Sequence, residues 1–292
     1  MVLRIGDRRT RGFRIGHDSL DLAYILGLDD DAEEGKALGA IYRDRCALQA
    51  ADVVWAGSRR LMAALRRRWS VEAQLLYPPA EPPVPVAPAQ REQRVIALVD
   101  GASPNWLHRL ECLARFRSDL EVATYGVPAL VERRRRARLE RHREADPAKF
   151  LADVERALAL LVPPGDVFEP RVLWAQAAGI PVIVQAQSAA AEVIQGLEHR
   201  EPTGLVLEDT SEDALLDAVA YVENHPGSWP AERLMAEALR WSRPRFRRTL
   251  KSLIFDAWCA HLASAVSQAG SPDGSGDEPA TRDAEVAAAT PS

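Results

Sequence analysis

Cysteine is scarce in this chain of 292 residues: Cys46, Cys112 and Cys259 lie far apart, with no C-x-x-C pair among them. That argues against a disulfide framework and a multi-cysteine zinc module, and fits reduced thiols, with a single disulfide as the alternative. The six histidines are scattered, with no H-E-x-x-H or comparable ligand spacing, so the sequence indicates no metal site. Long apolar runs are missing too. No segment approaches the roughly 20 apolar residues that cross a bilayer. The opening MVLRIGDRRTRGFRIGHD is charged throughout and lacks the apolar core of a signal peptide. Nor is there an excess of positive charge: the formal net charge is −5, which leaves no global basic field for nucleic acid or membrane. The expectation is a cytoplasmic protein that binds no nucleic acid and makes at most peripheral contact with the inner face of a membrane.

What is present is 47% hydrophobic residues, enough for one large or two ordinary domains. Residues 1 to 38 are the least legible. SLDLAYILGL (19 to 28) carries helical spacing, and DDDAEEG ends it in an acidic turn. GAIYRDRCALQAADV predicts a helix, VVWAGS (53 to 58) a buried strand, and Ser58 the N-cap of the helix RRLMAALRRRW. After QLLYPP, the proline-rich AEPPVPVAPAQREQ (80 to 93) reads as a semi-rigid linker. Beyond it, apolar strands alternate with helices: RVIALV, LEVATYG, LALLVP, IPVIVQA and TGLVLE are the strands, and Ser211 caps the helix after the last. An arginine-rich helix is expected over 128 to 144. The alternation implies an α/β, Rossmann-like parallel sheet covered on both faces, with ligands bound beyond the carboxyl ends of its strands. Phe246, Leu250, Leu253, Ile254 and Trp258 form the apolar stripe of a C-terminal helix (242 to 267). The tail from 268 is small and polar, with the composition of a disordered segment.

Four stretches, in order, carry a resemblance. ADVVWAGSRRLMAALRRRWSVEAQLLYPPAE, FEPRVLWAQAAGIPVIV, TGLVLEDTSEDALLDAVAYVE and WSRPRFRRTLKSLIFDAW resemble segments of the retaining "group 1" glycosyltransferases, which have two Rossmann-like domains. The resemblance spans residues 40 to 260. It implies transfer of a hexosyl group, possibly mannosyl as from GDP-mannose, from a nucleotide sugar to a glycan, lipid or natural-product acceptor. It also implies a division into a remnant of the acceptor-side domain (1 to 79), the linker, and a nucleotide-sugar-binding domain (94 to 241). No separate cofactor is expected.

The same resemblance assigns the candidate site. Its two donor-site acids fall on Asp166 and Trp174, its sugar-side glycine on Glu169, and a downstream acid on Glu192. Trp174 cannot replace a carboxylate, because indole only donates hydrogen bonds. Asp100 and Asn105-Trp106 stand where cations for the diphosphate are expected, with Arg109 one helical turn late. Ser188-Ala189-Ala190-Ala191 replaces the glycines before Glu192. Asp166, Glu192 and Arg109 are therefore the surviving donor contacts, in a site that has lost much of its chemistry. Acids such as Asp166 and Glu169 in a first helical turn also favour the helix dipole with no further role, and Trp174 suits packing. ERRRRARLERHRE (132 to 144) reads as a solvated face with pairs such as Glu132–Arg136, or a basic face for phosphate or lipid headgroups. His17 beside Asp18, His108 and His142 read as ordinary loop or surface residues. Only about fifty residues precede the ADVVWAGS strand, fewer than a full first domain needs. Three readings stay open: a truncated frame, a degenerate paralogue, or a chain whose partner protein completes that domain. In the last two cases the chain would be an inactive relative beside an active transferase.

Overall fold

A computed structural model of the protein describes residues 2–6, 20–26, 45–46, 48–80, 91–100, 102–126, 139–142 and 147–269. In chain order these form β1 (Val2–Gly6), β2 (Asp21–Ile25), β3 (Val53–Ala56), α1 (Arg59–Trp69) and β4 (Gln74–Leu75). Next come β5 (Arg94–Leu98), α2 (Pro104–Phe116), β6 (Glu121–Tyr125), β7 (Leu139–His142), α3 (Pro147–Val154) and β8 (Ala159–Leu161). Then α4 (Arg171–Ala177), β9 (Val182–Gln185), β10 (Gly204–Leu207), α5 (Glu212–Asn224), α6 (Ala231–Leu239) and α7 (Arg243–Ala269) complete it. The fold is α/β, with every strand pair parallel, in two sheets ordered β1-β2-β3-β4 and β10-β9-β8-β5-β6-β7.

The helical spacing of residues 19 to 28 is overridden: 21–25 is a central strand of the first sheet. Leu20, Leu22 and Tyr24 pack on one face, Ala23 and Ile25 on the other. A short apolar run satisfies either period, and a sheet buried on both faces selects the strand. Phe246, Leu250, Leu253, Ile254 and Trp258 of α7 pack against Leu20, Leu22, Tyr24 and Trp55, so the last helix lies on the first sheet.

The second sheet is sandwiched between two cores, one built around Ile96, Phe150, Leu173 and Val182, the other around Val95, Trp106, Leu110 and Val219. The expected arginine-rich helix is corrected at its end: residues 139–142 are the edge strand β7. Thr124 Oγ1 donates to the Glu140 carbonyl at 3.2 Å, and Glu140 pairs with Arg94, cross-strand bonds that a helix here could not make. Glu132 and Arg136 lie outside the described residues, as do His17, Asp18, most of the linker and the C-terminal tail.

Helix α6 has no counterpart in the sequence reading. It packs on α4, and Gly179 makes the approach possible: φ is +76°, and a Cβ there would stand 2.7 Å from Cβ of Ala231. Where the chain leaves the first sheet and later returns to it, the two crossings meet, the Ala80 N–H donating to the Trp241 carbonyl at 3.0 Å.

Candidate functional site

The carboxyl edge of the second sheet faces the start of α1, and the junction is made of charged groups. Ser58 follows β3 by one residue, Gly57, and caps α1, its Oγ accepting the Leu61 N–H at 3.0 Å. The same hydroxyl donates to the Asp166 carbonyl at 2.9 Å, on the loop between β8 and α4. Arg60 Nε donates to the Asp166 carboxylate at 2.9 Å. Glu192 lies in the 3-10 turn Ala190–Val193 after β9. Its carboxylate accepts the backbone N–H groups of Arg59 (2.8 Å) and Arg60 (2.9 Å) and the Tyr77 hydroxyl (2.7 Å). A carboxylate on two otherwise unpaired amides at a helix N-terminus is favoured by hydrogen bonding and by the dipole alike. Burial, reinforced by Glu192, pushes the Tyr77 phenol well above its usual range, so it remains a donor.

Beside this group sits a second one. Arg171, in the first turn of α4, grips Glu169 with two nitrogens (Nε at 2.8 Å, a terminal nitrogen at 2.7 Å) and reaches Asp100 at 2.5 Å. Only 13% of the Arg171 side chain is exposed. Burial works against its charge, but Glu169 and Asp100 outweigh that and hold the guanidinium firmly protonated. Asp100 occupies the space beside Gly126, where φ is +114° and a Cβ would collide with the carboxylate.

The sequence candidates thus separate. Asp166 and Glu192 come together through α1, and Glu169 lies three residues from Asp166 but is spent on Arg171. Arg109 donates instead to Thr210 Oγ1, in the turn that leads into α5. Trp174 packs against the core, its ring 6.2 Å from Phe150, and its buried N–H has no hydrogen-bond partner among the described residues. Trp106 is core as well, donating to the Leu98 carbonyl at 2.9 Å, while Asn105 is exposed. The sequence reading missed Arg59, Arg60, Tyr77 and Arg171. The signal for the first pair was available, since two arginines following an N-cap serine must sit at the open end of a helix. Arg171 carried no such mark.

Chemically, the junction sets the carboxylates of Asp100, Asp166, Glu169 and Glu192 against Arg60, Arg171, the exposed Arg59 and the α1 N-terminus. Such an edge can accept hydroxyl hydrogen bonds on the carboxylate lone pairs that its own donors leave open. It can take a diphosphate only where the arginines and the helix end are released from their acids.

Two parallel sheets meeting at their carboxyl edges, with the last helix returning to the first sheet, define the fold of the two-domain (B-type) glycosyltransferases. No protein-family profile matches the chain, and no curated protein does. Among solved structures, sucrose-phosphate synthase from Thermosynechococcus elongatus matches with a TM-score of 0.66 at 16% identity, over 82% of this chain and 68% of that one. HepE of Anabaena, solved with UDP and glucose, gives 0.61 at 13%, over 80% and 70%. WaaG, a glycosyltransferase involved in lipopolysaccharide biosynthesis, gives 0.53 at 19%, over 75% and 70%. At these identities the likeness is one of fold.

Proposed function

We propose that the chain is a glycosyltransferase that passes a hexosyl group, mannosyl from GDP-mannose being one candidate, from a nucleotide sugar to a glycan, lipid or natural-product acceptor with retention. The observation that carries this reading is the meeting of Asp166 and Glu192 with the N-terminus of α1, at the edge where a parallel sheet offers its ligand site. In this reading Asp166 lies on the sugar side, Glu192 accepts donor hydroxyls, and Arg59, Arg60 and the α1 amides replace the cations expected after β5, where Asp100 and Asn105-Trp106 stand instead. No side-chain nucleophile is needed. The bond from the anomeric carbon to the diphosphate breaks as the acceptor oxygen bonds to that carbon, and the acceptor's proton passes to the departing diphosphate. The protein's part is positioning and electrostatic stabilisation. Solved neighbours are consistent with such a donor, one of them holding UDP and glucose. Among the described residues no helix is long and apolar enough to cross a membrane.

A specific observation favours a second reading, an inactive relative that serves as subunit or scaffold for an active partner. Every acid at the junction is already bonded within the chain, and Arg171 is neutralised twice over. Incubation with UDP- and GDP-hexoses together with a panel of glycan and lipid acceptors, following free nucleoside diphosphate, separates the two. The enzyme reading expects release that falls at least about tenfold in Asp166→Ala and Glu192→Ala, as for loss of a hydrogen bond to a charged group. Absence of release for any donor, with binding retained, selects the scaffold.

A further inference from the structure

Helices α2 and α5 cover the same face of the second sheet and are in contact. Between them His108, Cys112 and Glu212 converge. His108 and Cys112 are one turn apart on α2, which places them on one face. Glu212 is the first residue of α5. Cys112 Sγ lies 3.8 Å from His108 Nε2, His108 Nε2 lies 3.4 Å from a Glu212 carboxylate oxygen, and all three atoms fall within 4.8 Å of one another.

We propose that His108, Cys112 and Glu212 form a binding site for a thiophilic divalent cation, zinc foremost. A tetrahedral zinc ion bound by nitrogen, oxygen and sulfur holds those atoms about 3.3–3.6 Å apart, close to the spacing already present. The ligand set of imidazole, thiolate and carboxylate suits zinc and excludes magnesium and calcium, which take oxygen shells. Cys112 is 3% exposed and forms the floor, whereas the His108 side chain is 68% exposed, so the ion would enter from solvent and keep a fourth position for water.

The surroundings fix the carboxylate's position. Arg109 bonds Thr210, the Asp209 carboxylate accepts the Ser211 N–H, and Ser211 Oγ caps the Ala214 amide, so the turn presenting Glu212 is braced from both sides. Outer contacts of this kind sustain metal affinity. Burial, and after it Glu212, holds the Cys112 thiol above its ordinary range, and the exposed Arg115, 3.9 Å from Sγ, offsets only part of this, so the ion displaces the thiol proton as it binds. A bound ion would staple the crossover helix after β5 to the one after β10, and would do so whether or not the protein handles a nucleotide sugar.

Cobalt(II), as a zinc surrogate, tests the site on the full chain stripped with chelator. The expected result is uptake of one ion per chain, with a thiolate-to-cobalt absorption band that zinc abolishes by displacement. Cys112→Ser removes the band, and His108→Ala weakens binding at least about tenfold. The Cys46→Ser/Cys259→Ser variant retains both signals. His108 is exposed, so its variant remains informative even if Cys112→Ser disturbs the core. No cobalt band up to millimolar metal, or binding unchanged in His108→Ala, overturns the proposal.

Discussion

Gly204→Ala should cost about 3 kcal/mol of folding stability, the upper range for forcing a methyl into filled space. Gly204 opens β10, opposite Val182 of β9. A Cβ at this position would drive into the Val182 carbonyl and stand 2.9 Å from a methyl of Ile194. The obstruction is backbone, which cannot rotate aside, so β10 must separate from β9 or shift along it. Either movement disturbs Leu205 and the packing of α5 behind it. Gly227 is the matched control, because a Cβ there meets nothing within 4 Å. Urea unfolding should show a lower midpoint for Gly204→Ala with an unchanged slope, and Gly227→Ala within about 0.5 kcal/mol of the parent. Equal midpoints for the two variants would refute the claim that this pairing excludes a side chain.

The other large effect is expected at the start of β5, inside the same sheet. Arg94, with 12% of its side chain exposed, meets Glu121 and Glu140 at 2.5 Å and Asp153 at 3.1 Å. Tyr125 donates its hydroxyl to Asp153 from the other side, and Lys149 lies 3.1 Å away. Removing the cation leaves Asp153, which is only 15% exposed, next to two further acids with Tyr125 and Lys149 as its remaining partners. Arg94→Met should cost about 2–4 kcal/mol, somewhat less than the roughly 3–5 kcal/mol for breaking a fully buried ion pair from one side, because Lys149 stays beside Asp153.

The pH dependence has a definite sign. Burial raises the pKa of Asp153, but hydrogen bonds from Tyr125 and Lys149 and the charge of Arg94 outweigh it, so the carboxyl titrates below its usual range. A depressed carboxylate contributes stability that is present above its unfolded pKa, about 3.9, and is lost as pH falls through the folded value. The gap between parent and Arg94→Met should therefore be full at neutral pH and narrow below about pH 4. A gap independent of pH would assign the effect to packing alone.

Much of the second sheet was legible from its sequence because its strands are short, apolar and bounded by glycine, proline and capping serines. Ser58 and Ser211 stand at their helix N-caps as the pattern requires. The failures have physical causes. Residues 21–25 satisfy both helical and strand periods, and only the neighbouring strands decide between them. Residues 139–142 carry a helix-like charge pattern, but Arg94, far away in sequence, recruits Glu140 into an edge strand. At the junction, Asp166 and Glu192 could be placed at the cleft from the resemblance. The open helix end marked Arg60, but its pairing with Asp166, and that of Tyr77 with Glu192, could not be read, since each spans more than a hundred residues of chain. The His108–Cys112–Glu212 group was invisible for the same reason, as Glu212 arrives from another helix.

The reading as a nucleotide-sugar enzyme stands on whether this junction opens for a donor. Calorimetric titration of the purified chain with GDP- and UDP-sugars, alongside Asp166→Ala and Glu192→Ala, asks that directly. The account predicts micromolar binding of at least one donor, weakened at least about tenfold by either substitution as charged hydrogen bonds are lost. No heat of binding up to millimolar nucleotide sugar, or an affinity untouched by both substitutions, would contradict it.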